Sequence, residues 1–235
     1  MKLFGRRTVA HSDGGVPQTL GAVLLGVLSI ATLIWVVAST TDIFARISLS
    51  RVPTRSLPAR EPVTDWRRIK SFGHIMGPPT APIEIVEFSD FQCPACGVMT
   101  KRLHALRSLY PNRLSIRFRH FPLDNIHAFA TEAAIAAECA GEQERFESFH
   151  DNLFARQDSL GVKSWAAYAK LAGVPDTVTF NECRRSGKTL REVKADRAAG
   201  NALHLTGTPT LVINGTLYRT VPDTIELEHL VAAHR

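Results

Sequence analysis

Apolar and polar positions divide the chain into a start, a passage without rhythm and a patterned body. From Thr19 to Ser39 no residue is charged, and the run TLGAVLLGVLSIATLIWVVAS is almost wholly apolar. About 20 such residues at 1.5 Å rise span a hydrocarbon core of about 30 Å, so residues 19–39 are expected to be a transmembrane helix. From residue 40 to about residue 75 nothing repeats, and prolines and arginines dominate (RVPTRSLPAREPVTDWRR). This reads as an extended linker, with a short first strand or edge segment between Asp65 and Ile75.

The body opens with Ile83-Glu84-Ile85-Val86-Glu87-Phe88, a strand rich in β-branched residues. A helix follows from Pro94 to about Leu109, with Val98, Leu103, Leu106 and Leu109 at near-helical spacing. Leu114 to His120 alternates, with Leu114, Ile116 and Phe118 on one face and Arg117 and Arg119 on the other, which predicts a second strand. Helical periodicity then takes over from about 126 to 203, in segments 128–140, 142–155, 165–171, 177–186 and 189–205. Residues 210–214 and 217–221 predict a hairpin around Asn214-Gly215, a dipeptide suited to positive φ, and Asp223 caps a last helix to about Ala233. A strand–helix–strand half, a helical block and a strand–strand–helix half make an α/β thioredoxin-like fold with an all-helical insertion over residues 126–203. The folded domain is expected at 76–233.

Charge and cysteines place this body. The net charge is +6, with Lys2, Arg6 and Arg7 ahead of the apolar run and further arginines just after it. Positive flanks stay in the cytoplasm, so residues 1–18 are expected inside and the body outside, in the periplasm or extracellular space. The alternative is a cleaved signal peptide ending near Val36-Val37-Ala38, but the run exceeds the 7–15 residues usual there. Arg6-Arg7 is a poor twin-arginine signal because Thr-Val-Ala-His follows it. No basic helix with interleaved aromatics is present, so nucleic acid is not an expected partner.

Cys93, Cys96, Cys139 and Cys183 are the four cysteines. In an oxidising compartment they allow three pairings, of which spacing favours Cys93–Cys96 and Cys139–Cys183. Cys93-Pro94-Ala95-Cys96 stands just after a strand and opens a helix. There the free N–H groups and the macrodipole favour a thiolate at the first cysteine, and the second can attack a mixed disulfide. Pro94 suits the first helical position, which needs no donor. A zinc site would need two further ligands, and neither Cys139, Cys183 nor the nine histidines show such spacing, so no metal is expected. Cys93 and Cys96 holding a soft ion such as Cu(I) in a non-catalytic module is the competing reading.

Glu87 lies on a mostly apolar strand, where burial raises a carboxyl's pKa and fits it to shuttle the proton of Cys96. Gly207-Thr208-Pro209-Thr210 precedes a strand in the position of a cis-proline loop, with Thr208 backbone groups facing an incoming polypeptide. His120, His127 and His150 are taken as structural, with His150-Asp151 on the polar side of its helix. Cys139 and Cys183 are expected to form a disulfide, whose loop of over 40 residues stabilises by about 3–4 kcal/mol in the chain-entropy model.

Three blocks carry a family resemblance: Glu87 to Cys96 (EFSDFQCPAC), Glu138-Cys139-Ala140 with Phe149 to Phe154 (FHDNLF), and Thr206 to Thr210 (TGTPT). Over about residues 70–233 the chain resembles the DsbA-like thiol:disulfide interchange proteins. The resemblance implies a thiol–disulfide oxidoreductase acting on exported proteins, with Cys93 as nucleophile, Cys96 as resolving cysteine, Pro209 as the cis-proline and an acid at Glu87. It implies no cofactor beyond the redox-active Cys93–Cys96 disulfide, and a membrane redox partner that restores it. Residues 42–75 are too short for the dimerisation domain of the family's isomerases, so a monomeric oxidase is expected, with reductase or isomerase as the alternative. The central Pro94-Ala95 departs from the Pro-His of the best-known oxidase, and this dipeptide tunes redox poise.

Overall fold

The β-branched run 83–88 does become the middle of a sheet. In a computed structural model of the chain, described here for residues 60–233, β3 (Ile83–Ser89) lies between β4 (Leu114–His120), parallel to it, and β5 (Thr210–Ile213), antiparallel. The parallel pair needs a crossover, which α2 (Pro94–Leu109) supplies. β6 (Thr216–Tyr218) returns beside β5 through Asn214-Gly215, both at positive φ (43° and 84°), as the hairpin turn demands. β1 (Arg60–Pro62) and β2 (His74–Met76) close the two edges, giving the order β1-β6-β5-β3-β4-β2.

β1 shortens the linker expected over 40–75, whereas β2 overlaps the edge segment expected between Asp65 and Ile75. From Arg60 onward the chain belongs to the sheet: Glu61 pairs with Leu217, and Ile75 with Arg117. A single turn of helix, α1 (Trp66–Ile69), joins them. Three-residue edge strands carry no legible alternation, and Pro62 is tolerated because an edge strand can leave an N–H unpaired. The anchor expected at 19–39 and the cytoplasmic segment before it lie outside the described residues. Among the described residues, no helix is long and apolar enough to cross a membrane.

The helical block between β4 and β5 resolves into α3 (Ala130–Gly141), α4 (Phe146–Ala155), a single 3-10 turn (Gln157–Ser159), α5 (Trp165–Leu171), α6 (Thr177–Ser186) and α7 (Leu190–Ala202). α8 (Thr224–Ala233) ends the described chain. Asp176 caps α6 by accepting from the amides of Val178 and Thr179, and Gly187 ends it in the left-handed region at φ 62°. Cys139 of α3 and Cys183 of α6 are joined as a disulfide, with Cα atoms 5.8 Å apart.

Side-chain alternation along the strands builds a core on each face of the sheet. Ile83, Ile85, Ile116 and Phe118 pack against Met99 and Leu103 of α2, Leu227 of α8 and the insert's Phe149, Tyr168 and Phe180. Val86, Phe88, Val212 and Leu217 pack on the other face with Ile69, Phe121 and Leu203. Period two therefore puts Glu87 and Ser89 on the α2 face, beside Ile85. On the opposite face Arg119 is buried and pairs with Asp196 of α7 at 2.7 Å, while its Nη1 donates to the Ile69 carbonyl.

Candidate active site

Asp90 shapes the loop between β3 and α2. Its carboxylate accepts from the Gln92 amide (2.7 Å) and the Leu123 amide (2.9 Å) and meets His127 Nδ1 at 2.8 Å, while its carbonyl accepts from Cys93 N. Gln92 Oε1 takes the Phe129 amide. The loop is thus tied to the segment after β4, and Cys93 is delivered as the N-cap of α2 with Pro94 at the first helical position. Gln157 fixes it from the insert side. Its Nε2 donates to the carbonyls of Phe91 (2.8 Å) and Cys93 (2.9 Å). A Cβ at Gly97 would press on Gln157 Oε1 and push that side chain from its place.

The two cysteines meet very different surroundings. Cys93 is 6% exposed and Cys96 not at all, so only Cys93 offers an edge to an incoming sulfur; Pro94 and Ala95 stand exposed beside it. Both are free thiols. The Cys93 thiol is pulled down to about 5, chiefly by the Cys96 thiol, with Thr208 and the amides of Cys96 and Ala95 adding to it, against the cost of burial. Those amides belong to the first turn of the helix, whose N–H groups point toward its start (the Cys96 amide also donates to the Cys93 carbonyl at 3.1 Å), so the fold places donors where thiolate charge develops. Cys96 is driven well above its ordinary value by burial, by Cys93 and by Glu87. One thiol is prepared as an anion and the other as a proton holder.

Pro209 follows a cis Thr208–Pro209 bond, and Cys93 Sγ donates to the Thr208 carbonyl at 3.4 Å. The loop expected from the sequence therefore does lie against the cysteines. Glu87 is buried, and burial lifts its carboxyl to about 7, with the Cys93 charge adding a little and a hydrogen bond from Ser89 Oγ (3.0 Å) opposing it. Ser89 also acts on the Cys96 thiol, lowering it against burial. Glu87 and Ser89 thus both act on the buried Cys96 thiol, and Ser89 is hydrogen-bonded to Glu87.

Asp90, Ser89 and Gln157 were missed by sequence reasoning. Ser89 had a signal in the two-residue period that sets it beside Glu87, and Asp90 is a loop acid; Gln157 had none, since only the insert's packing brings it here. His150 is corrected: it is buried among Phe91, Phe118, Phe146 and Phe154, not on a polar helix side. The buried face of α4 is wider than its apolar residues alone and takes in His150, so polarity misjudged that position. His120 is structural in a specific way. It and His74 both meet Glu138 Oε1, at 2.8 and 2.9 Å. Burial pushes Glu138 up, but these two hydrogen bonds outweigh it and hold the carboxyl well below the usual range.

The thioredoxin family model matches residues 70–233. The chain belongs to the thioredoxin family. Its fold is shared with oxidised BdbD from Bacillus subtilis (TM-score 0.63, 18% identical, covering 75% of this chain and 97% of that one). It is shared also with alpha-DsbA1 from Wolbachia pipientis (TM-score 0.58, 22% identical, covering 68% and 89%). The DsbA-like architecture implied by the three sequence blocks is therefore the one observed. A different kind of relative is the Na(+)/H(+) antiporter NhaA 1 of Mycolicibacterium gilvum (strain PYR-GCK), 37% identical over 164 residues, 69% of this chain. This chain spans only about a quarter (26%) of that relative's length. Wherever a stretch of 164 residues starts in a 235-residue chain, it includes Cys93 and Cys96, so the shared part takes in the redox loop.

Proposed function

We propose that this protein forms disulfides in exported proteins by dithiol–disulfide exchange through Cys93 and Cys96. The observation that carries the reading is the asymmetry of the pair: an edge-exposed Cys93 favoured as thiolate at a helix N-terminus beside the Thr208 carbonyl, and a sealed Cys96 favoured as thiol. Stabilising the Cys93 thiolate stabilises the reduced form, which makes the Cys93–Cys96 disulfide oxidising.

A client thiolate attacks Cys93 Sγ of the disulfide, forming a client–Cys93 bond and breaking the Cys93–Cys96 bond. The electron pair leaves on Cys96, which takes a proton from Glu87 through Ser89. The client's second thiolate then attacks its own sulfur in the mixed disulfide and expels Cys93 as the favoured thiolate. Two electrons pass from client to enzyme, and no cofactor takes part. In the oxidised form Cys93 has no S–H to give Thr208, so that carbonyl is released for strand-like pairing with the client. A membrane redox partner re-oxidises the pair. Residues 19–39 anchor the chain with its N-terminus in the cytoplasm and this domain, as a monomer, in the periplasm or extracellular space. The antiporter activity named for the longer relatives is not part of this reading.

The test is the reduction potential of the pair, titrated against glutathione. A value near about −120 mV supports oxidation of clients; one near about −270 mV would show a reductant and overturn it.

A further inference from the structure

On the far part of α2, away from Cys96, His104 comes against His150 and Asp151 of α4. One ligand atom from each lies within 4.8 Å of the others. Asp151 Oδ1 is 2.8 Å from His150 Nδ1 and 3.3 Å from His104 Nε2. The side chain of His150 is 1% exposed, while Asp151 and His104 are 41% and 34% exposed and border a solvent-open cleft beside Gly77, Ser108 and Glu147.

Hydrogen bonding alone leaves this cluster incomplete. His104 Nε2 and His150 Nε2 are both buried with no hydrogen-bond partner. If His150 carries its proton on Nδ1, it satisfies Asp151, but Nε2 is then a bare acceptor among phenylalanines. If the proton is on Nε2, the N–H end lies among Phe118 and Phe154, rings at 83° and 73° to the imidazole and 4.9 and 4.8 Å away. That is a weak but real partner. Nδ1 and Oδ1 are then two acceptors 2.8 Å apart, a repulsion that a cation between them would relieve.

We propose that His104 Nε2, His150 Nδ1 and Asp151 Oδ1 bind a divalent transition-metal ion of the zinc class, with water completing the shell from the cleft. Two imidazoles and one carboxylate suit zinc better than magnesium or calcium, which take oxygen ligands. Metal–nitrogen bonds of about 2.0–2.1 Å set neighbouring ligands about 3.3 Å apart, which is the separation of Asp151 from His104, while the 2.8 Å between Asp151 and His150 has to widen on binding. The part-exposed His104 ring has room to close the remaining gap to His150. The Arg107 charge beside the cleft is met by Glu147 at 2.7 Å, which limits repulsion of an incoming cation. The ion would pin the helix that carries Cys93 and Cys96 to the helical insert. His104 and the His150-Asp151 pair lie too far apart in sequence to show ligand spacing, so only the fold reveals the site. This inference is independent of the redox reading.

The full-length chain is stripped with chelator, with Cys93 and Cys96 oxidised so that no thiolate competes, and titrated with Zn(II) against a chromophoric chelator. Co(II) replaces zinc in a parallel titration read by visible absorption. One zinc per chain is expected. His104→Ala and Asp151→Asn should each weaken it by more than the ~10–100-fold that losing an outer-shell partner costs, and should abolish the Co(II) band. Both side chains are part-exposed, and circular dichroism checks each variant separately. No zinc bound by the parent chain, or zinc bound equally by folded variants, would overturn the assignment.

Discussion

Glu87→Gln tests the burial argument with a number attached. Burial lifts the Glu87 carboxyl from 4.5 to about 7. In the unfolded chain it titrates near its ordinary value. Well below that value both states keep the proton, and the residue adds nothing to the pH dependence. As pH rises from about 4.5 to about 7, the unfolded chain releases a proton that the folded chain retains. The folded state then loses stability by about 1.4 kcal/mol per unit, or about 3 kcal/mol in total once the folded carboxyl has also ionised. Glutamine has nearly the same shape, its amide oxygen can still accept from Ser89 Oγ, and it cannot ionise. The gap between variant and parent should therefore open in the variant's favour by up to about 3 kcal/mol between about pH 4 and pH 8.

The assay is urea unfolding at a series of pH values with Cys93 and Cys96 oxidised. Oxidation removes the smaller push from the Cys93 charge and leaves burial, the main cause, in place. The absolute offset between the proteins is irrelevant, because a fixed packing or hydrogen-bond difference does not vary with pH. A gap that stays constant across the range would refute the reasoning. The same variant should slow release and uptake of the Cys96 proton, so dithiol oxidation should be slower and lose the inflection near pH 7 that the carboxyl imposes.

Cys96→Ala removes the first cause of Cys93's depressed pKa, so the thiolate midpoint, read by the pH dependence of alkylation, should move up from about 5; no movement would mean that the helix start alone sets it. Replacing Cys139 and Cys183 together by serine opens a loop of 44 residues' separation and should cost about 4 kcal/mol in the chain-entropy model, read by urea unfolding, with the Cys93 midpoint unchanged. Gln157→Ala strips the donors from the Phe91 and Cys93 carbonyls and should cost about 2 kcal/mol, with faster amide exchange over residues 93–97. Asp196→Asn leaves buried Arg119 without its counter-charge and should cost about 3–5 kcal/mol in the same unfolding assay.

What the sequence made legible follows from what builds each element. β3, α2 and β4 are long enough to show their periods, and α5 and α6 have caps or breakers at their ends, so their bounds agree with the structure closely. β1 and β2 are three-residue edges held by a neighbour's ladder, and nothing inside Arg60–Pro62 distinguishes a paired strand from a proline-rich tether. α4 shows the opposite failure. Its hydrophobic stripe was read correctly, yet protein also covers part of its polar side, and His150 went inside with it.

The site divides along the same line. Cys93, Cys96 and Pro209 were legible because each acts through a local rule: a helix start, a turn beyond it, and a proline before a strand. Glu87 was legible because a charged residue in an apolar strand is conspicuous. Gln157 and Asp90 act by reaching across to other segments, and Ser89 matters only because the strand's period sets it beside Glu87. In the proposed mechanism Gln157 and Asp90 take no part in exchange, and Ser89 only relays a proton. Gln157 and Asp90 fix the Cys93 carbonyl and amide, so that the first-turn N–H groups of the helix face one thiol and not the other. The redox motif states that two cysteines can react. The surrounding contacts, spread over β3, the loop after β4 and the insert, decide which of them holds the charge and which the proton.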